Sequence, residues 1–359
     1  MMKGLFCFVL MLLLMTVQVR AAELPGELID SLPDAAEDLL WGQEFTDAGA
    51  VTEGIGRILQ GLPEQAEEIL HGSLRGAVTV LLIVVLCGAA DCLDRGTGGA
   101  ATVFIPMAGA LSVTMATAGT LDSMIGAGAE VIRELSVFSK VLLPTLAAAM
   151  AASGSVTSAG FHQVTTVFLV DVLVSLIEKL LLPLVYLYIG VLTASACLPE
   201  NRLGTIANGL KKVVVWLLAT SLLLFTVYLS VIRVISGTAD STAVKMTKTA
   251  ISGVVPVVGG IIAEASETVL LGAGMLKNTI GIAGMLAILA TCIYPFLQLG
   301  IQYLLYKLTA FLASVAGPPR LCGLIDGLGG AFGLVLGMAG SCALLLLISV
   351  LSSVAAVIP

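Results

Sequence analysis

The chain has 359 residues, of which 58 % are hydrophobic, 11 % are charged and 39 are glycines. A soluble domain carries about 25 % charged residues, and a mean hydropathy of +1.07 leaves too much apolar surface for such a domain to hide. Aromatic residues at 5 % and 17 Lys+Arg also exclude a nucleic-acid binder. The composition predicts an all-α polytopic membrane protein. Its net charge of −7 is uneven: residues 1–22 carry +2, residues 23–75 carry −10 and the remainder +1.

Residues 1–22 read as a secretory signal. Lys3 is the positive end, residues 5–17 are the apolar run, and Val19 and Ala21 flank Arg20 at the cleavage positions. Whether cleaved or kept as an anchor, such a segment places residue 23 onward outside the cytoplasm. Residues 23–75 then form an acidic extracytoplasmic arm of short amphipathic helices. One of these is expected to start at Pro63, where Glu64, Glu67 and Glu68 sit near the positive dipole end. The arm is either a solvated helical extension or, through Trp41 and Leu39-Leu40, a docking surface.

Residues 76–359 read as a multi-span domain, each crossing needing about 20 apolar residues. Residues 76–90 and 100–121 are the first two spans. Residues 122–140 suggest an interfacial helix with Val131, Ile132, Leu135 and Phe138 on one face, and 141–160 a third span. Residues 161–198 are too long for one crossing, and Glu178, Lys179 and Pro183 suggest a break into two. That count also puts Arg202, Lys211 and Lys212, the most basic connection, on the cytoplasmic side. Residues 213–235 are the clearest span, and 236–250 a polar connection. Residues 251–276 are apolar but interrupted by Pro256, Gly259, Gly260, Glu264 and Glu267, the pattern of a broken or re-entrant segment. A span at 278–306, a turn at 317–320 and a last span at 328–358 bring the expected total to seven to nine.

No nucleotide loop, zinc-protease motif or nucleophile elbow occurs. The two histidines, His71 and His162, have no ligand-spaced partner, and the seven cysteines show no Cys-x-x-Cys. No enzyme activity, metal or cofactor is expected. The intramembrane acids are the candidates for function. Asp171 and Glu178 are seven apart and share a helix face, as do Glu264 and Glu267 at three apart. Such charges line a wet path, or they pair locally, Glu178 with Lys179. Gly329, Gly333 and Gly337 recur every fourth residue, with Ser341 continuing the row. This is a small-residue seam for another helix, from this chain or from a second subunit.

Several stretches carry a family resemblance. They are residues 253–260 (Gly-Val-Val-Pro-Val-Val-Gly-Gly, with Pro256, Gly259 and Gly260), Glu264 to Val269, Leu276-Lys277-Asn278 leading to Gly284, and Tyr306-Lys-Leu-Thr-Ala310. With the glycine-rich last span, they resemble the stage III sporulation protein AE family of endospore-forming Firmicutes. Glu264 stands where an aspartate is common in the family, a physically small departure. The resemblance implies a multi-pass protein of the mother-cell membrane facing the forespore. There it would be a subunit of the mother-cell-to-forespore channel, a secretion-like apparatus needed for forespore development and late sigma-factor activity. It implies as partners the other stage III sporulation A proteins, an ATPase and ring-forming subunits among them, and the forespore-side channel protein. It carries over no catalytic residues. The alternative from the residues alone is a stand-alone secondary transporter using Asp171 and Glu178. An intramembrane enzyme lacks the residues it would need.

Overall fold

The computed structural model describes residues 48–97, 104–198, 202–254, 259–315 and 317–355. The expected signal, the arm before residue 48 and Pro256 lie outside them. The described residues are helical, without a strand. Helix α1 is Ala48–Thr97, α2 Phe104–Ala152 and α3 Val156–Leu176. A π turn at Ile177–Leu181 leads into α4, Leu182–Cys197. Helices α5 (Arg202–Val254), α6 (Gly259–Ala313) and α7 (Pro319–Ala355) complete the chain.

These helices are far longer than the expected spans. At 1.5 Å per residue α2 is about 74 Å long, more than twice the ~30 Å hydrocarbon layer. Residues 100–121, 122–140 and 141–160 were expected as three segments, but residues 104–152 are one helix. The apolar face expected for an interfacial helix exists, but Val131, Ile132, Leu135 and Phe138 are buried in the protein core instead of lying on a membrane surface. Pro63 does not start a helix. It lies inside α1, which runs without interruption past residue 75. The polar stretch 236–250 is part of α5. Among the described residues, five helices are long and apolar enough to cross a membrane, where seven to nine spans are expected of the whole chain: Gly54–Asp94, Phe104–Ala152, Leu203–Val231, Gly272–Ala313 and Pro319–Val354.

The expected break in 161–198 is a local one. Pro183 has no N–H to bond the carbonyl four residues back, and its ring crowds that carbonyl. The helix responds by widening just before it: the Leu182 N–H donates to Ile177 O, five residues back. Helices α3 and α4 continue one another and lie in series along α2. The reversal between α2 and α3 is a Schellman turn: Gly154 takes φ 90°, the Ser155 N–H donates to Met150 O at 2.9 Å and the Gly154 N–H to Ala151 O at 3.1 Å. Between α6 and α7 the chain turns at Gly317, where a Cβ would collide with Val84, and Pro319 opens α7 at a position whose N–H needs no partner.

Helices α6 and α7 pack together most extensively and form the centre, with α2 laid against both. Helix α1 packs on α2 and α6, and α5 on α4, α3 and α7 and to a lesser extent on α6. Side-chain meetings fix the heights. Gly54 of α1 lies beside Leu286 of α6, and Gly284 beside Leu142 of α2. Gln302 donates to Ser73 Oγ at 2.8 Å, and Gly128 of α2 abuts Leu299 and Val335. Tyr228 of α5 donates to Thr165 Oγ1 of α3 at 2.7 Å, and Lys211 and Tyr188 both reach Gly330. The start of α1 and the basic start of α5 therefore lie at opposite ends of the bundle.

Candidate functional site

The acids singled out in the sequence, Asp171 and Glu178, both face α2. Arg133 Nε donates to Glu178 Oε1 at 2.7 Å, and Lys140 Nζ lies 3.1 Å from Asp171 Oδ1. The expected local pair of Glu178 with Lys179 is absent from the ion pairs of the described residues, because the π turn directs Glu178 across to the neighbouring helix. The pairs continue toward the other end. Tyr186 OH donates to Asp122 Oδ1 at 3.1 Å, and the hydroxyls of Thr114 and Thr193 meet at 3.2 Å. As numbers rise along α2 they fall along α3 and α4, so these contacts form one antiparallel polar ladder. Glu130 adds a second carboxylate to Arg133 at 3.7 Å.

The ladder lies on the outside of the bundle. After pairing, the Arg133 side chain is 59 % exposed, Lys140 52 % and Asp171 47 %. In water such pairs contribute little to stability, since solvent screens them. Among hydrocarbon tails they would be costly, because exposed charge there faces nothing that can solvate it. The chemistry available to this array is solvation and ion pairing. No nucleophile–base pair stands within it, and no group of three or more His, Cys, Asp or Glu among the described residues could hold a metal ion.

The other sequence candidates fall in different places. Gly329, Gly333 and Gly337 form a graded row. A Cβ on Gly329 would stand 3.1 Å from Tyr306 Cβ and 3.6 Å from the Lys307 nitrogen. One on Gly333 would meet the Tyr303 ring at 3.1 Å, and one on Gly337 nothing within 4 Å. The first two belong to the seam with α6 inside this chain, and Gly337 is exposed. That seam also holds an edge-to-face pair of Tyr306 and Phe332, centroids 5.0 Å apart, and the ion pair of Lys307 with Asp326. Gly259 and Gly260 open α6. Glu264 and Glu267 follow in its first turns, but their side chains lie outside the described residues, as Pro256 does altogether. Lys277 is only 4 % exposed, and Asn278 beside it is half-buried.

Sequence reasoning found the acids but not their basic partners. The signal was present: Arg133 and Lys140 are seven apart, the same spacing as Asp171 and Glu178, so two antiparallel helices can match both pairs.

The family model for stage III sporulation protein AE matches residues 45–357. A protein of Bacillus subtilis (strain 168) named stage III sporulation protein AE is 25 % identical over 252 residues, which cover 70 % of this chain and 63 % of that relative. No solved structure matches.

Proposed function

Because the chain belongs to the stage III sporulation protein AE family, we propose that this sporulation protein is an integral membrane subunit of the mother-cell-to-forespore channel. In this reading it resides in the mother-cell membrane facing the forespore. It works beside the other stage III sporulation A proteins, including an ATPase and ring-forming subunits, and meets the forespore-side channel protein. Its contribution is structural and conducting, and it performs no catalytic step. The family match over residues 45–357 carries the reading. The apolar helices are consistent with it, since five among the described residues are long and apolar enough to cross a membrane.

The stand-alone transporter loses its specific ground. Asp171 and Glu178, which suggested an ion-coupling site, each face a base on α2. Two neutralised acids do not make a cation site.

The test is copurification. An affinity-tagged chain, isolated from membranes of sporulating cells, is expected to bring the ATPase and ring-forming subunits with it, and its deletion to stop spore formation. Isolation of the chain alone, with normal spore yield after deletion, would contradict the proposal.

A further inference from the structure

Buried hydroxyls along the bundle are satisfied within their own helices. Thr117 donates to Val113 O at 2.9 Å, Thr291 to Ala287 O at 2.9 Å, Thr309 to Leu305 O at 2.7 Å and Ser353 to Ser349 O at 3.0 Å. The carbonyl one turn back is within reach of any helical serine or threonine. Two residues leave it unused. Thr166 of α3 and Ser349 of α7 are both 0 % exposed. Among the described residues, their hydroxyls are the buried side-chain polar atoms without a hydrogen-bond partner.

Three sets of contacts place these two hydroxyls at one level. The pair of Lys140 with Asp171 sets Thr166 level with Thr145 of α2. Helices α2 and α7 run the same way, Gly109 against Leu321 and Gly128 against Val335, which carries Thr145 to about residue 350 of α7. Helices α3 and α4 run against α7, with Tyr188 at Gly327 and Gly330, and following them back to Thr166 again reaches about residue 350. Through α5, Lys211 at Gly330 and Tyr228 at Thr165 lead to the same turn of α7. The directions agree as well. Thr166 shares the buried row of α3 with Val170, Leu173 and Ile177, whereas Thr165 turns to α5 and Asp171 to α2. At about 100° per residue, Ser349 falls between the direction of Gly327, which takes Leu192 of α4, and that of Val335, which meets α2. That is the side of α7 along which α3 continues α4, and α3 touches α7.

We infer that a buried water molecule bridges Thr166 Oγ1 and Ser349 Oγ and ties α3 to α7. An unpaired hydroxyl in an apolar core is costly, and two at one level are both relieved by one shared partner. Water both donates and accepts, so it pairs with hydroxyls in either orientation, and a polar lining is what holds it inside a protein. A hard cation calls for about six oxygen ligands, which two hydroxyls do not supply. Tyr188, donating to Gly327 O at 3.0 Å, already ties α4 to α7. The water adds a tie beyond the π turn, so the two segments are held on both sides of it. The inference is independent of the channel reading.

The full-length chain, purified in detergent, carries the test. Thr166→Val and Ser349→Ala should each lower the midpoint of thermal unfolding by about 2–4 °C, because the water and the remaining hydroxyl are left short of a partner. The double variant should lose clearly less than the sum of the two. Thr291→Val, whose hydroxyl bonds within its own helix, should show no coupling to either. X-ray radiolysis then reads the water itself, since hydroxyl radicals formed from a bound water oxidise the side chains beside it. Val170 and Val350, both buried next to the two hydroxyls, should be oxidised about threefold or more faster in the parent than in the double variant, with Phe332 unchanged as a buried control. A raised midpoint for either single variant, or losses that simply add, would overturn the inference by showing hydroxyls that share nothing. Coupling with no change at Val170 and Val350 would overturn it too, in favour of a direct hydrogen bond.

Discussion

The seam between α6 and α7 and the seam between α2 and α3–α4 join helices of similar apolar composition by opposite means. At the first, glycine removes side chains so that backbone approaches side chain: the Gly329 site leaves 3.1 Å between a would-be Cβ and Tyr306. Along the glycine row the interface is buried and its contacts are steric, and the Lys307–Asp326 ion pair of the same seam is partly exposed. At the second, side chains reach across and pair, and the pairs remain half-exposed. A steric seam fails when volume is added, whereas a charged seam fails when one partner of a pair is removed. The difference shows that small-residue rows and intramembrane charges in one sequence mark two kinds of surface, one closed within the chain and one facing outward.

The largest effect is expected where the steric seam is tightest. Gly329→Leu should destabilise by about 2–3 kcal/mol or block accumulation, because backbone at Lys307 stands behind the collision. Gly333→Leu should cost less, since the Tyr303 ring can swing aside, and Gly337→Leu should cost nothing measurable. Thermal unfolding in detergent, or membrane abundance, reads the order. Equal effects at the three sites would show that the row acts as a unit and would break the distinction between its ends.

Much of this contrast was legible in the sequence. The every-fourth glycines announced close packing, but not which of them would be used, since spacing says nothing of the partner's shape. Asp171 and Glu178 announced a polar face, yet their partners lie about 40 residues earlier on another helix, beyond the reach of local pattern. The longer error concerned length. Asp122 and Lys140 bounded what read as an interfacial helix between two spans, because an unpaired charge does end a span. Paired across a helix interface, they interrupt only one face, and α2 runs on through them. Pro183 misled in the same way: a π turn absorbed it where a break was expected.

At the charged seam the expected effects are intermediate. Arg133→Gln leaves Glu178 facing its neighbour without the guanidinium, so accumulation should fall. Adding Glu178→Gln should recover most of the loss, since the pair is then gone as a whole. A double variant as poor as the sum of the singles would show that the two side chains do not interact. Tyr186→Phe should have the smallest effect, about 1 kcal/mol or less, because it removes one exposed hydrogen bond to Asp122. A larger loss on thermal unfolding would show that this end of the ladder is buried by something else in the membrane.

Cross-linking of cysteine pairs in intact membranes tests the antiparallel ladder itself. With a short bifunctional thiosulfonate, Arg133→Cys should link to Glu178→Cys, and Lys140→Cys to Asp171→Cys, while the exchanged combinations of Arg133→Cys with Asp171→Cys and Lys140→Cys with Glu178→Cys should link far less. Exchanged pairs that link as well as the matched ones, or matched pairs that fail while Ser73→Cys links to Gln302→Cys, would contradict the charged seam.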